Sequence, residues 1–154
     1  MTDEIAQQAL AMNAHPQQDR LNEIWRDHIM HQKTTPLQFT PEVVVRLLRQ
    51  TPLPVSTEAA MQEAVEQRMK DFLMPFEREV HMGPNNRIDF MVEGGIGIEV
   101  KTRCPRRQIH RQLARYADHP DVTALILVTG TFTGLPETLN EKPVFLVSSG
   151  RASL

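Results

Sequence analysis

The apolar positions of this chain change period along its length, and each change marks a predicted element. Met61, Val65, Met69 and Phe72 follow Glu58 at helical spacing on an otherwise polar segment, so one helix is expected over residues 57–73. A strand is expected near Phe76–Met82, then two alternating runs joined by a tight turn, then a helix over 106–117. The apolar run "VTALILVT" (122–129) predicts a buried strand, and "KPVFLVS" (142–148) a last one. Upstream, residues 3–13 and 19–32 read as polar helices. "TPEVVVRLLRQ" adds another, with Thr40 as N-cap, Pro41 at its first position and Glu42 in its first turn. The two prolines of "TPLPV" (51–55) break this pattern. The expected organisation is an N-terminal helical extension, residues 1–55, before an α/β domain, residues 56–154, built as helix, three strands, helix, strand, strand.

The alternating pair lies in "RIDFMVEGGIGIEVK", residues 87–101. Period two puts Ile88, Phe90 and Val92 on one face of the first strand and Ile96, Ile98 and Val100 on one face of the second. A three-residue loop, Glu93-Gly94-Gly95, pairs Val92 with Ile96 and lets both sets face a common core. That register places Asp89 opposite Glu99, with Lys101 one position further along the same face. Directly opposed like charges are destabilising. Two carboxylates so placed either share a proton, pair with cations such as Arg87 and Lys101, or bind a divalent metal.

Composition narrows the choice. The 154 residues suit one domain of ordinary size, and 40% apolar with 23% charged residues is the profile of a globular protein in water. No apolar run is long enough to cross a bilayer, and the N-terminus carries acids where a secretory signal would carry cations, so a cytoplasmic protein is expected. Cys104 is the single cysteine, which leaves oxygen or imidazole as metal ligands. The net charge of −2 hides a division: Lys101, Arg103, Arg106, Arg107, Arg111 and Arg115 lie in one stretch without an acid, against an acidic remainder. Such a block is either a solvated helix face or a phosphate-binding surface.

Asp89, a nine-residue gap, then Glu99-Val100-Lys101, between two helices, resembles the PD-(D/E)XK nuclease superfamily of restriction endonucleases, Holliday junction resolvases and phage-type exonucleases. The likeness covers residues 57–147, with Ile88-Asp89 in place of the family's Pro-Asp. Gln112 and Tyr116 are similar to the Gln-x-x-x-Tyr element of the exonuclease-like branch. The resemblance implies a restriction-endonuclease-like core and metal-dependent hydrolysis of DNA, with RNA a further substrate to test. Asp89, Glu99 and the Val100 carbonyl would hold Mg²⁺ or Mn²⁺, which prefer oxygen ligands. Glu58 would add a helix acid to the metal site, with Glu66 as the runner-up. Lys101 would act on the attacking water, and Gln112 would position it. Arg103, Arg107, Arg111, Arg115 and Tyr116 would contact the nucleic acid.

The alternative class is a non-catalytic nucleic-acid-binding or assembly module that keeps the fold. His28 with His31 is the one histidine pair near metal-ligand spacing, and it lacks an accompanying acid motif. Trp25 reads as a packing anchor of the extension, whose helices are the expected interface of a homodimer.

Overall fold

The computed structural model describes residues 38–131 and 134–149, and the compact unit that carries the sheet starts at Phe39. The polar helices predicted over residues 3–13 and 19–32, the His28 and His31 pair and Trp25 lie outside the described residues, and so does the dimer contact expected of those helices.

Helix α1, Pro41–Leu48, starts as its sequence prescribes: the Thr40 hydroxyl accepts the Val43 amide at 3.4 Å, and Pro41 occupies the first turn. Helix α2, Glu58–Asp71, is capped in the same way by Thr57, whose hydroxyl accepts the Ala60 amide at 3.1 Å. Met61, Val65 and Met69 are fully buried along its inner face. Phe72, expected on that stripe, is 38% exposed. The helix has ended there, and Leu73 turns into the left-handed region (φ 52°), so helical spacing no longer aims the side chain inward.

Six strands follow: β1 Phe76–His81, β2 Arg87–Val92, β3 Ile96–Lys101, β4 Ala124–Thr129, β5 Thr138–Leu139 and β6 Lys142–Ser148, with helix α3, Arg106–Ala117, between β3 and β4. They form one mixed sheet in the order β1-β2-β3-β4-β6-β5. β1, β2 and β3 are an antiparallel meander, β4 joins β3 in parallel, β6 joins β4 in parallel, and β5 pairs antiparallel with β6. The molecule is therefore an α/β fold with three helices among the described residues. Every residue of β4 is buried, as its unbroken apolar run requires of a central parallel strand covered on both faces.

Two cores result. On one face α1 and α2 pack Val44, Val45, Leu48, Met61, Val65 and Met69 against Phe90, Val92, Ile96, Ile98, Val100 and Val128. On the other, α3 packs Ile109, Leu113 and Tyr116 against Ile88, Leu125 and Leu127. Leu53, inside the proline-rich segment, is also buried, and its amide donates to the Ser149 hydroxyl at 3.0 Å. Residues expected in the extension thus belong to the first core.

The expected turn register holds: Val92 pairs with Ile96, Met91 with Gly97 and Phe90 with Ile98. Gly95 suits the turn because its φ is +81° and a Cβ would overlap the Asp121 carbonyl oxygen. Beyond Phe90 the expectation fails in two ways. The β2–β3 ladder stops, so Asp89 and Glu99 are not a ladder pair. Ile88 also leaves the face of Phe90 and packs with α3, over Gly97, which leaves room for it. Between the pairs Arg78↔Phe90 and Val80↔Ile88, Glu79 adopts φ 52°, and across this point both strands pass from one core to the other: Phe76 and Phe90 pack in the first, Val80 and Ile88 in the second.

Candidate active site

The charged residues of the hairpin meet where β2 and β3 part. Freed from the ladder, the Val100 amide donates to Asp89 Oδ2 at 2.7 Å, so a side chain replaces the missing backbone acceptor. In an extended strand the amide and carbonyl of one residue share an edge, which puts the Val100 carbonyl on the same side of β3 as Asp89. Glu99 points to the α3 layer and is only 1% exposed. Its Oε1 accepts from Gln112 Nε2 at 2.6 Å and from Lys101 Nζ at 3.1 Å. Its Oε2 is buried with no hydrogen-bond partner among the described residues. A buried carboxylate oxygen left in this way is costly and marks a place for a cation or a proton.

Lys101 Nζ also donates to Glu58 Oε1 at 2.9 Å. Glu58 arrives from the opposite helical layer, one turn before the buried Met61, where the Thr57 cap fixes the helix start. Of the two candidate helix acids, Glu58 reaches the site. Glu66 instead pairs with Lys70 at 2.7 Å and with Arg78. On the α3 side, Gln112 Nε2 also donates to the Tyr116 hydroxyl at 2.7 Å, and that hydroxyl donates to the Arg87 carbonyl at 2.6 Å. Tyr116 was expected to touch nucleic acid. It is instead 1% exposed, because the aromatic ring fills the α3 core while its hydroxyl anchors Gln112.

Electrostatics follow from burial and crowding. Burial raises the Asp89 carboxyl above its ordinary value despite the Val100 amide and Lys101. Burial and the Asp89 charge push Glu99 up to about 7, with Lys101 holding it from going further. Burial alone would lower Lys101, but Glu99, Glu58 and Asp89 outweigh it and raise the ammonium above its usual value. The ammonium gains from three carboxylates at once, whereas Glu99 faces burial and a like charge. Lys101 is therefore firmly charged near neutrality while Glu99 is poised to change state. Tyr116 is pushed up to about 12 by burial and by Glu99, so it remains a neutral donor.

The arginines of the 101–115 stretch lie on the surface of α3 and of the loop before it. Arg103, Arg106, Arg107, Arg111 and Arg115 are exposed, and the last three follow one another at four-residue spacing along α3. Arg115 Nε donates to Asn86 Oδ1 at 2.8 Å, which ties its helix end to the β1–β2 turn. Sequence reasoning missed Thr129, a buried polar residue in register with Lys101 at the end of β4, whose hydroxyl accepts the Thr131 amide at 3.3 Å. The polar residue closing an apolar run was the available signal. It also missed the Arg87 carbonyl as the anchor of Tyr116, for which the sequence carries no signal. Cys104 is half-buried and burial raises its thiol, which disfavours a thiolate nucleophile.

Among the described residues no three His, Cys, Asp or Glu side chains gather as a ready metal cluster. The donor set at this point is two carboxylates and a strand-edge carbonyl, and among the described residues Glu99 Oε2 is left without a partner. Those oxygens fit a hard divalent cation that keeps water in its remaining positions. Compared with protein-family models, curated proteins and solved structures, the chain matches none.

Proposed function

We propose that this chain is a metal-dependent nuclease that hydrolyses phosphodiester bonds of DNA, with Asp89, Glu99 and Lys101 at its centre and a restriction-endonuclease-like core as its scaffold. The observation that carries the reading is the buried Glu99 oxygen that has no partner among the described residues, on a carboxyl that feels the Asp89 charge and whose other oxygen already pairs with the Lys101 ammonium. Asp89, Glu99 and the Val100 carbonyl would hold Mg²⁺ or Mn²⁺. Bound there, the cation would polarise the scissile phosphate and lower the pKa of a water.

The chain's own residues supply the rest. Lys101 keeps its proton near neutrality and stabilises charge that develops on the phosphate oxygens. Gln112 fixes one Glu99 oxygen, which leaves the other aimed at its task, and Tyr116 in turn fixes Gln112. Arg103, Arg107 and Arg111 are exposed cations for the sugar–phosphate backbone, which is read without regard to base sequence.

A second reading, a binding or assembly module without catalysis, is favoured by the Glu58–Lys101–Glu99 chain, in which the one ammonium is already engaged by two carboxylates of the protein. Incubation with supercoiled, linear and single-stranded DNA, and with RNA, in Mg²⁺, Mn²⁺ or chelator separates the two. The nuclease reading expects cation-dependent cleavage of DNA. Binding without cleavage in any cation selects the module.

A further inference from the structure

Glu58 and Glu99 approach Lys101 from opposite layers of the fold. Glu58 sits on α2, whose inner face packs the first core, while Glu99 is held by Gln112 of α3 in the second. Both carboxylates meet the same ammonium, at 2.9 Å and 3.1 Å. Lys101 is the last residue of β3, and its long side chain is free to rotate unless something holds it.

We infer that Glu58 is a positioning residue for Lys101 and not a ligand of the metal, the α2 helix serving as a bracket that sets where the ammonium stands. The inference deepens the nuclease reading and rests on it for its metal arm. Three observations support it. Glu58 Oε1 is committed to Lys101. The Thr57 cap and the fully buried Met61, Val65 and Met69 fix the start of α2, so this carboxylate has a defined anchor. Asp89 is turned to the Val100 amide on the β2 side, and no third acid gathers with Asp89 and Glu99 among the described residues.

A ligand and a bracket behave differently on neutralisation. Glu58→Gln should leave Mn²⁺ affinity within about twofold of the parent, whereas Glu99→Gln should weaken it at least about tenfold, since an amide is a poor substitute for an anionic oxygen. In protein with ¹⁵N-labelled lysine side chains, assigned through Lys101→Ala, the Lys101 ammonium hydrogens should exchange with water about three to ten times faster in Glu58→Gln, because one charge-assisted bond is lost. Cleavage should fall in kcat with KM for DNA unchanged, and Glu58→Asp, which keeps the charge on a shorter stem, should restore part of the ammonium protection. Loss of Mn²⁺ affinity in Glu58→Gln equal to that in Glu99→Gln would make Glu58 a ligand and overturn the inference. Unchanged ammonium exchange would overturn it as well. Should the parent bind no Mn²⁺, the metal reading fails while the ammonium exchange still decides whether Glu58 holds Lys101.

Discussion

Glutamine at position 99 isolates the charge that the fold accommodates least well. Glu99 is 1% exposed, and its carboxyl moves from 4.5 to about 7. A carboxyl that holds its proton more tightly when folded stabilises the native state fully below pH 4.5, and that contribution is lost as pH rises through about 7. At about 1.4 kcal/mol for each tenfold change, ionisation removes roughly 3 kcal/mol, a large share of an ordinary domain's stability. Glu99→Gln keeps an oxygen to accept from Gln112 and Lys101 yet cannot ionise, so it mimics the protonated parent at every pH. Denaturant unfolding in chelator at about pH 4.5 and about pH 8 should show the parent losing roughly 3 kcal/mol more than the variant between the two. The raised Asp89 carboxyl acts in the same direction in both proteins and leaves the comparison standing. Parallel stability profiles would refute the claim that Glu99 is held against its charge.

Lys101→Ala should retain DNA binding and lose cleavage by about 10²–10⁴-fold in a single-turnover assay. Reversing Arg107 and Arg111 to glutamate should weaken binding to all DNA sequences and flatten its dependence on salt, read by fluorescence anisotropy across a salt series. Tyr116→Phe removes the donor to the Arg87 carbonyl and the acceptor for Gln112, so denaturant unfolding should report a loss of about 1–3 kcal/mol.

Periodic and capped elements could be read in the sequence. Thr40-Pro41 and Thr57 with the Met61, Val65, Met69 stripe marked α1 and α2, and the run through Leu125 and Leu127 marked the central strand. β5 was not legible: it has two residues, and its turn places Asn140 and Glu141 at positive φ without the glycine that signals such a hairpin. The hairpin turn was legible through Gly94-Gly95, but the end of its ladder was not, because nothing in the alternation of apolar residues marks Glu79 as a residue that takes φ 52°. Alternation alone therefore placed Ile88 with Phe90, and the structure parts them. For the site, the spacing of Asp89, Glu99 and Lys101 indicated which groups converge. It gave no sign that Glu58 contacts the lysine, nor that Tyr116 works from inside the core.

The most direct test compares parent, Asp89→Asn, Glu99→Gln and Lys101→Ala in one plasmid-cleavage assay with Mn²⁺, each verified as folded and able to bind DNA. The parent should cleave and stop in chelator, and all three variants should fall at least about 10²-fold below it, as loss of a metal ligand or of an electrostatic group requires. Cleavage at the parental rate by any of the three, or none by the parent on any DNA, would contradict the nuclease assignment.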